Sequence, residues 1–282
     1  MAFVSQFFKS PPGVAGLARA MMALALLGAL SSLVGCATPT GGVDASVSGA
    51  IQTPSDESEE RRRATTRLVL ASSYFENGQY TVALDEVKKV LQIDPGFGDA
   101  YNLNGMVYMA LGEIQVAESN FQRAINLNPR DANALHNLGW LQCEQRRYGE
   151  AVQSFQRALA VPGYPERART LLTQGICEAR SGDRQAAEAS LMRSYELDAG
   201  NPITGYNLSQ LLYLRGDYQR AQFYIRRLNN SEQANAESLW LGIKVERRMN
   251  NSQAMQQLAS QLQRRFPQSR ELQSYERGSF DD

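Results

Sequence analysis

Histidine is nearly missing from this chain: His136 is the only one in 282 residues. Imidazole is the commonest general base and metal ligand near neutral pH, so its scarcity weakens any Ser/His/Asp or metal-centre reading. Lysine is almost as rare, being confined to Lys9, Lys88, Lys89 and Lys244, and the other basic residues are arginines. Neither sign of charge dominates: 29 Lys+Arg face 29 Asp+Glu, so no strong overall field draws the chain to nucleic acid or anionic lipid. There is no Gly-rich loop ending in Gly-Lys, no His-Glu-x-x-His and no Gly-x-Ser-x-Gly, and the carboxylates are scattered as solvation requires. The expectation is a protein that performs no chemistry, with no metal, no small-molecule substrate and no nucleic-acid partner. At 43% hydrophobic and 21% charged, the composition is that of a soluble globular chain of one large domain or two small ones.

The N-terminus has the three parts of an export signal. Lys9 and Arg19 give a positive leader without an acid, and Ala20 to Leu30 is an apolar run too short to span a bilayer comfortably. Leu33-Val34-Gly35-Cys36 follows and resembles the bacterial lipobox. That resemblance implies cleavage after residue 35 and lipid on the Cys36 thiol and the new N-terminus; this covalent lipid is the one attached group expected, and no other cofactor is. Ala37, rather than Asp, resembles the residue that follows the Cys in lipoproteins sorted to the outer membrane. Residues 36–63 read as the lipidated Cys and a flexible tether of Thr, Pro, Gly, Ser and acids, reaching about 25–30 Å.

From Ala64 onward one spacing recurs. Pro95 and Pro129 lie 34 apart, and so do Gly78 and Gly112, Tyr74 and Tyr108, Ala83 and Ala117, Gly105 and Gly139, Phe121 and Phe155, Ala117 and Ala151, and Ala124 and Ala158. This pattern resembles the tetratricopeptide repeat, in which each unit is a helix pair. A small residue at position 8 (Ala71, Gly105, Gly139, Gly175) lets the first helix approach the second, and Ala at position 20 (Ala83, Ala117, Ala151, Ala187, Ala221) does the same from the other side. Tyr or Phe is expected at positions 11 and 24. Gly at position 15 (Gly78, Gly112, Gly182, Gly216) supplies the turn, and Pro at position 32 ends the second helix. The frames are 64–97, 98–131, 132–165, 168–201, 202–235 and 236–269, with two extra residues after Pro165 and a degenerate sixth unit. Residues 270–282 are expected to form a short cap and a frayed tail. The fold class is therefore all-α, a right-handed superhelix of about six helix pairs behind a disordered lipidated N-terminus.

Family geometry turns positions 2, 5, 9, 12 and 13 toward the inner surface. These include Leu68, Phe75, Met106, Met109, His136, Trp140, Leu172, Ile176, Tyr206 and Tyr213, then Trp240, and the row predicts a protein-binding groove for an apolar segment. The first three repeats, with Met106, Met109 and Trp140, are the expected contact surface. Cys143 and Cys177 lie on the first helices of adjacent repeats. An oxidising compartment permits their pairing, but positions 12 and 10 need not come within bonding reach, so buried thiols are favoured and pairing stays open. The doublets Arg146-Arg147, Arg226-Arg227, Arg247-Arg248 and Arg264-Arg265 read as solvated residues near helix ends.

Three stretches narrow the resemblance. They are Asn137-Leu138-Gly139-Trp140-Leu141-Gln142-Cys143 with Arg147-Tyr148-Gly149-Glu150-Ala151, then Gly175 to Asp183, then Ser238-Leu239-Trp240-Leu241-Gly242-Ile243-Lys244-Val245-Glu246-Arg247-Arg248 ending at Phe266-Pro267. Together they are similar to the type IV pilus biogenesis and stability lipoproteins (PilF/PilW). The resemblance implies a pilotin: a lipid-anchored, periplasm-facing protein of the outer membrane that binds a secretin subunit and promotes its targeting and multimerisation. The alternative is a scaffold lipoprotein of outer-membrane protein assembly, or an adaptor for a periplasmic protease.

Overall fold

The computed structural model describes residues 58–280. The signal segment, the lipidation at Cys36 and nearly all of the tether lie outside the described residues. Within them the chain forms thirteen helices and no strand. Twelve make six antiparallel pairs: α1 (Glu59–Glu76) with α2 (Tyr80–Ile93), α3 (Gly98–Leu111) with α4 (Ile114–Leu127), α5 (Ala132–Glu144) with α6 (Tyr148–Leu159), α7 (Arg167–Ser181) with α8 (Arg184–Leu197), α9 (Pro202–Arg215) with α10 (Tyr218–Asn229), and α11 (Ala236–Arg248) with α12 (Ser252–Arg265). The short α13 (Arg270–Glu276) packs on α11 and α12. Each first helix also packs closely on the first helix of the next pair, whereas second helices stand further apart and meet through long side chains, as where Arg220 and Tyr224 of α10 reach Glu188 and Tyr195 of α8. The array therefore curves toward its first helices, and these make the inner face.

Size matching across each pair explains the small residues at position 8. A Cβ on Gly105 would lie 2.6 Å from the Phe121 ring, one on Gly139 2.8 Å from the Phe155 ring, and one on Gly175 2.7 Å from Leu191. The large partner is in each case the residue at position 24. In the sixth pair the sizes are exchanged: Ile243 takes the first place and Ala259 the second, and both lie in one buried cluster with Leu239 and Leu262. The turn at position 15 is equally regular. Gly78, Gly112, Gly182 and Gly216 have φ between 73° and 92°, and at the same position Arg146 (φ 63°) and Asn250 (φ 55°) adopt the left-handed conformation without being glycine.

Three expectations change. Residues 59–63, read as tether, are the first turn of α1: the Ser58 side chain accepts from the Arg61 N–H, and Glu59 and Glu60 favour the positive helix end. Arg61 then pairs with Asp94 at 2.6 Å and lies over the Phe97 ring, docking that turn on the array. As far as Phe280 the tail after α13 is packed rather than frayed, because the Phe280 ring stacks on Trp240. Position 11 holds Tyr74 and Tyr108 in the first two pairs but buried polar groups, Gln142, Glu178 and Glu246, in three later ones. Each has a partner: Gln142 accepts from Ser154, Glu178 from Gln174, and Glu246 from Arg226 and Gln222.

Cys143 and Cys177 form a disulfide, with Cα atoms 5.8 Å apart. The offset between positions 12 and 10, which favoured separate thiols, is what brings them together. Two residues turn a helix by roughly 200°, so the two positions point to nearly opposite faces. Parallel neighbours such as α5 and α7 meet through opposite faces.

Candidate protein-binding surface

The row of inner-face residues divides in two. Phe75, His136, Trp140 and Leu172 are buried, which corrects their assignment to an open groove. The contact between successive first helices draws them into the seams of the array. Phe75 packs in the cluster of α1, α2 and α3, and Leu172 in that of α7 to α11. Trp140 shares a cluster with the disulfide, and the Arg180 guanidinium lies over its ring at 5.2 Å. His136 is held by Thr170, its Nδ1 being 2.9 Å from the hydroxyl oxygen, and its ring lies 5.7 Å from that of Phe155. Tyr164 reaches the same Thr170 hydroxyl at 3.0 Å. It comes from the irregular turn that carries the two extra residues, so that turn seals the seam. Burial, reinforced by the nearby Arg169 charge, pushes the His136 imidazole down to about 3.

Leu68, Met106, Met109, Ile176, Tyr206 and Tyr213 are half-buried. Met106 touches the clusters of the first and second pairs, and Met109 those of the second and third. They fill the joints between pairs with part of each side chain outward, an arrangement suited to methionine's unbranched, adaptable chain. The first three repeats thus present a shallow apolar strip rather than a deep groove.

A deeper cleft lies at the other end of this face. It encloses about 630 Å³ and is lined by Tyr206, Tyr213, Tyr218, Leu241 and Trp240, with Phe280 forming one wall. Glu237, Glu271, Lys244 and Arg248 border it. Burial, with the charges of Glu237 and Glu271, pushes the Tyr206 phenol up to about 12, so it stays a neutral hydroxyl at physiological pH. The Lys244 ammonium lies 5.6 Å from the centroids of both the Tyr213 and Trp240 rings, joining the two aromatic walls. Of these residues, Tyr206, Tyr213 and Trp240 follow from the repeat frame. Tyr218 and Phe280 do not: Tyr218 opens a second helix and Phe280 lies outside every repeat. The one available signal for Phe280 was a lone large apolar side chain in a tail of Gly, Ser and Asp.

Such a surface can grip protein. Among the described residues, no group of three or more His, Cys, Asp or Glu is placed to hold a metal ion, and no helix is long and apolar enough to cross a membrane.

Comparison with known proteins places this architecture. Two profiles of the tetratricopeptide repeat match residues 97–162 and 141–202. The type IV pilus assembly protein PilF of Pseudomonas aeruginosa is 28% identical over 77% of this chain and 86% of its own length. A solved structure of P. aeruginosa PilF superposes with a TM-score of 0.71 at 26% identity, covering 78% of this chain and all of that one. The crystal structure of PilW, described as a widely conserved type IV pilus biogenesis factor, superposes with a TM-score of 0.69 at 30% identity, covering 76% of this chain and 98% of that one.

Proposed function

Since this chain belongs to the tetratricopeptide-repeat family of type IV pilus biogenesis factors that includes PilF and PilW, we propose that it is an outer-membrane lipoprotein that binds a secretin subunit. In this reading it escorts the subunit to the outer membrane and promotes its multimerisation. The observation that carries the reading is the structural match to these factors, which covers 76–78% of this chain and nearly the full length of theirs. Two features of the chain support the location. Leu33-Val34-Gly35-Cys36 provides a lipidation site, and two or more acyl chains anchor a protein stably. The Cys143–Cys177 disulfide suits an oxidising compartment such as the periplasm. The mechanism is binding without chemistry: the half-buried strip of Leu68, Met106, Met109 and Ile176 and the aromatic cleft hold the partner, and lipid on Cys36 supplies the membrane address.

The test is deletion of the gene, with secretin multimers measured in outer-membrane fractions and the full-length lipoprotein captured from detergent-solubilised membranes. Loss of multimers on deletion, and recovery of secretin with the captured protein, are expected. Cys36→Ser should leave secretin binding intact but shift the protein and its cargo away from the outer membrane. Undiminished multimers in the deletion strain would overturn the reading, and a general loss of outer-membrane proteins would favour the assembly-scaffold alternative.

A further inference from the structure

The C-terminal cleft is already occupied in part, by the chain itself. After α13 the backbone turns through Gly278 (φ 69°), and the Phe280 ring comes to rest on Trp240, with centroids 5.2 Å apart and planes 29° from parallel. Tyr275 meets the same ring edge-on at 6.1 Å, and the Arg247 guanidinium covers it at 3.9 Å from the centroid. Three side chains thus form a holder for one aromatic ring. The ring sits at the edge of the buried cluster of Leu239, Ile243 and Leu272, yet Phe280 is only half-buried and lies beyond the last helix. Trp240, Lys244, Arg247 and Arg248 follow one another at i, i+4, i+7 and i+8 along α11, which places the aromatic platform and three basic groups on one stripe. In sequence, Phe280 is followed by Asp281 and Asp282, so the segment that supplies the ring carries acids next to it.

We propose that this cleft is a docking site for an extended protein segment in which an aromatic residue is followed by acidic ones, and that Phe280 occupies the aromatic holder in cis until such a segment displaces it. The aromatic ring of the incoming segment takes the place of Phe280 between Trp240 and Arg247, and its acids meet the basic stripe. The remaining space, bounded by Tyr206, Tyr213 and Tyr218, accepts the flanking residues. This deepens the reading of the array as a protein binder without depending on a secretin as the partner. A tethered competitor acts at an effective concentration of roughly millimolar. The resting affinity is therefore lowered by the fraction of time the holder is filled, and weak or mismatched segments are rejected.

The probe is a fluorescein-labelled peptide, Glu-Arg-Gly-Ser-Phe-Asp-Asp, titrated against the full-length protein in detergent and followed by anisotropy. The Phe280→Ala protein should bind it at least about ten-fold more tightly than wild type, because the competitor is gone. Replacing the peptide's Phe by Ala should abolish binding. Adding Arg247→Gln, at an exposed position where the helix is undisturbed, should weaken binding of the Phe280→Ala protein several-fold. Equal binding by wild type and Phe280→Ala, no binding to Phe280→Ala at roughly millimolar peptide, or indifference to Arg247→Gln would each overturn the proposal. Secretin capture is a separate measurement, so either result can stand without the other.

Discussion

His136 was expected on the open inner face and is instead a neutral core group, bonded to Thr170 and packed on Phe155. Its folded pKa lies at about 3, below the ordinary value of 6.5. The unfolded chain therefore takes up a proton there that the folded chain refuses. The stability contributed by the neutral ring is complete above pH 6.5 and is lost progressively as pH falls toward 3. By pH 5 the loss is about 2 kcal/mol, from roughly 1.36 kcal/mol per pH unit. Urea unfolding at pH 7.5 and pH 5 reads this, and His136 is the only histidine in the chain. His136→Asn, which can keep a bond to Thr170, should flatten the difference; an equal loss in wild type and variant would show that His136 is protonated in the folded state. The repeat frame gave this residue its position on α5 correctly. What it could not give is that α5 and α7 close over that position, since one closing partner, Tyr164, lies in an irregular turn and the other, Thr170, lies beyond it.

At the scale of the element, the turn within each pair keeps one conformation whatever residue it is given. Four glycines take the left-handed conformation at position 15 without steric cost, and Asn250 tolerates it, but the Cβ of Arg146 meets the carbonyl oxygen and costs about 1 kcal/mol. Arg146→Gly should accordingly raise stability by about 0.5–1 kcal/mol, an effect near the upper end of what backbone relief gives once the unfolded chain's extra freedom is counted. Asn250→Gly should change it by only a few tenths. Denaturant midpoints of the two variants check this, and a destabilised Arg146→Gly would mean that the arginine side chain contributes more than its backbone costs. The period of 34, the pairing and the turn positions were legible because small residues and glycine mark places where backbone geometry leaves few choices. The sixth pair was harder to read, because exchanging the sizes of Ile243 and Ala259 preserves the packing while erasing the motif. The start of α1 was missed for another reason: Glu59 to Arg63 are polar, and their attachment depends on Asp94 and Phe97 more than thirty residues away.

In the whole molecule, the disulfide ties the third pair to the fourth across the middle of the array. In a solenoid each pair touches only its neighbours, so stability is close to a sum of pair and joint terms, and this central joint carries a covalent one. Closing a 34-residue separation contributes about 3–4 kcal/mol on the chain-entropy account. The Cys143→Ser/Cys177→Ser protein should lose about that much in urea unfolding; a loss below about 1 kcal/mol would mean that the seam of Trp140, Phe155 and His136 holds the joint unaided. The array and the identity of its inner face could be read from sequence, but the cleft could not: it takes its depth from α13 and the tail, which have no place in the repeat. The matched sizes inside the pairs have a consequence for how such a gene can change. Were α11 recombined with α4, Ile243 would be driven into Phe121; were α3 recombined with α12, Gly105 would face Ala259 across an empty space. Exchanging a pair entire keeps its two halves together, so crossovers in the loops between pairs preserve the core that crossovers in the turns within them destroy.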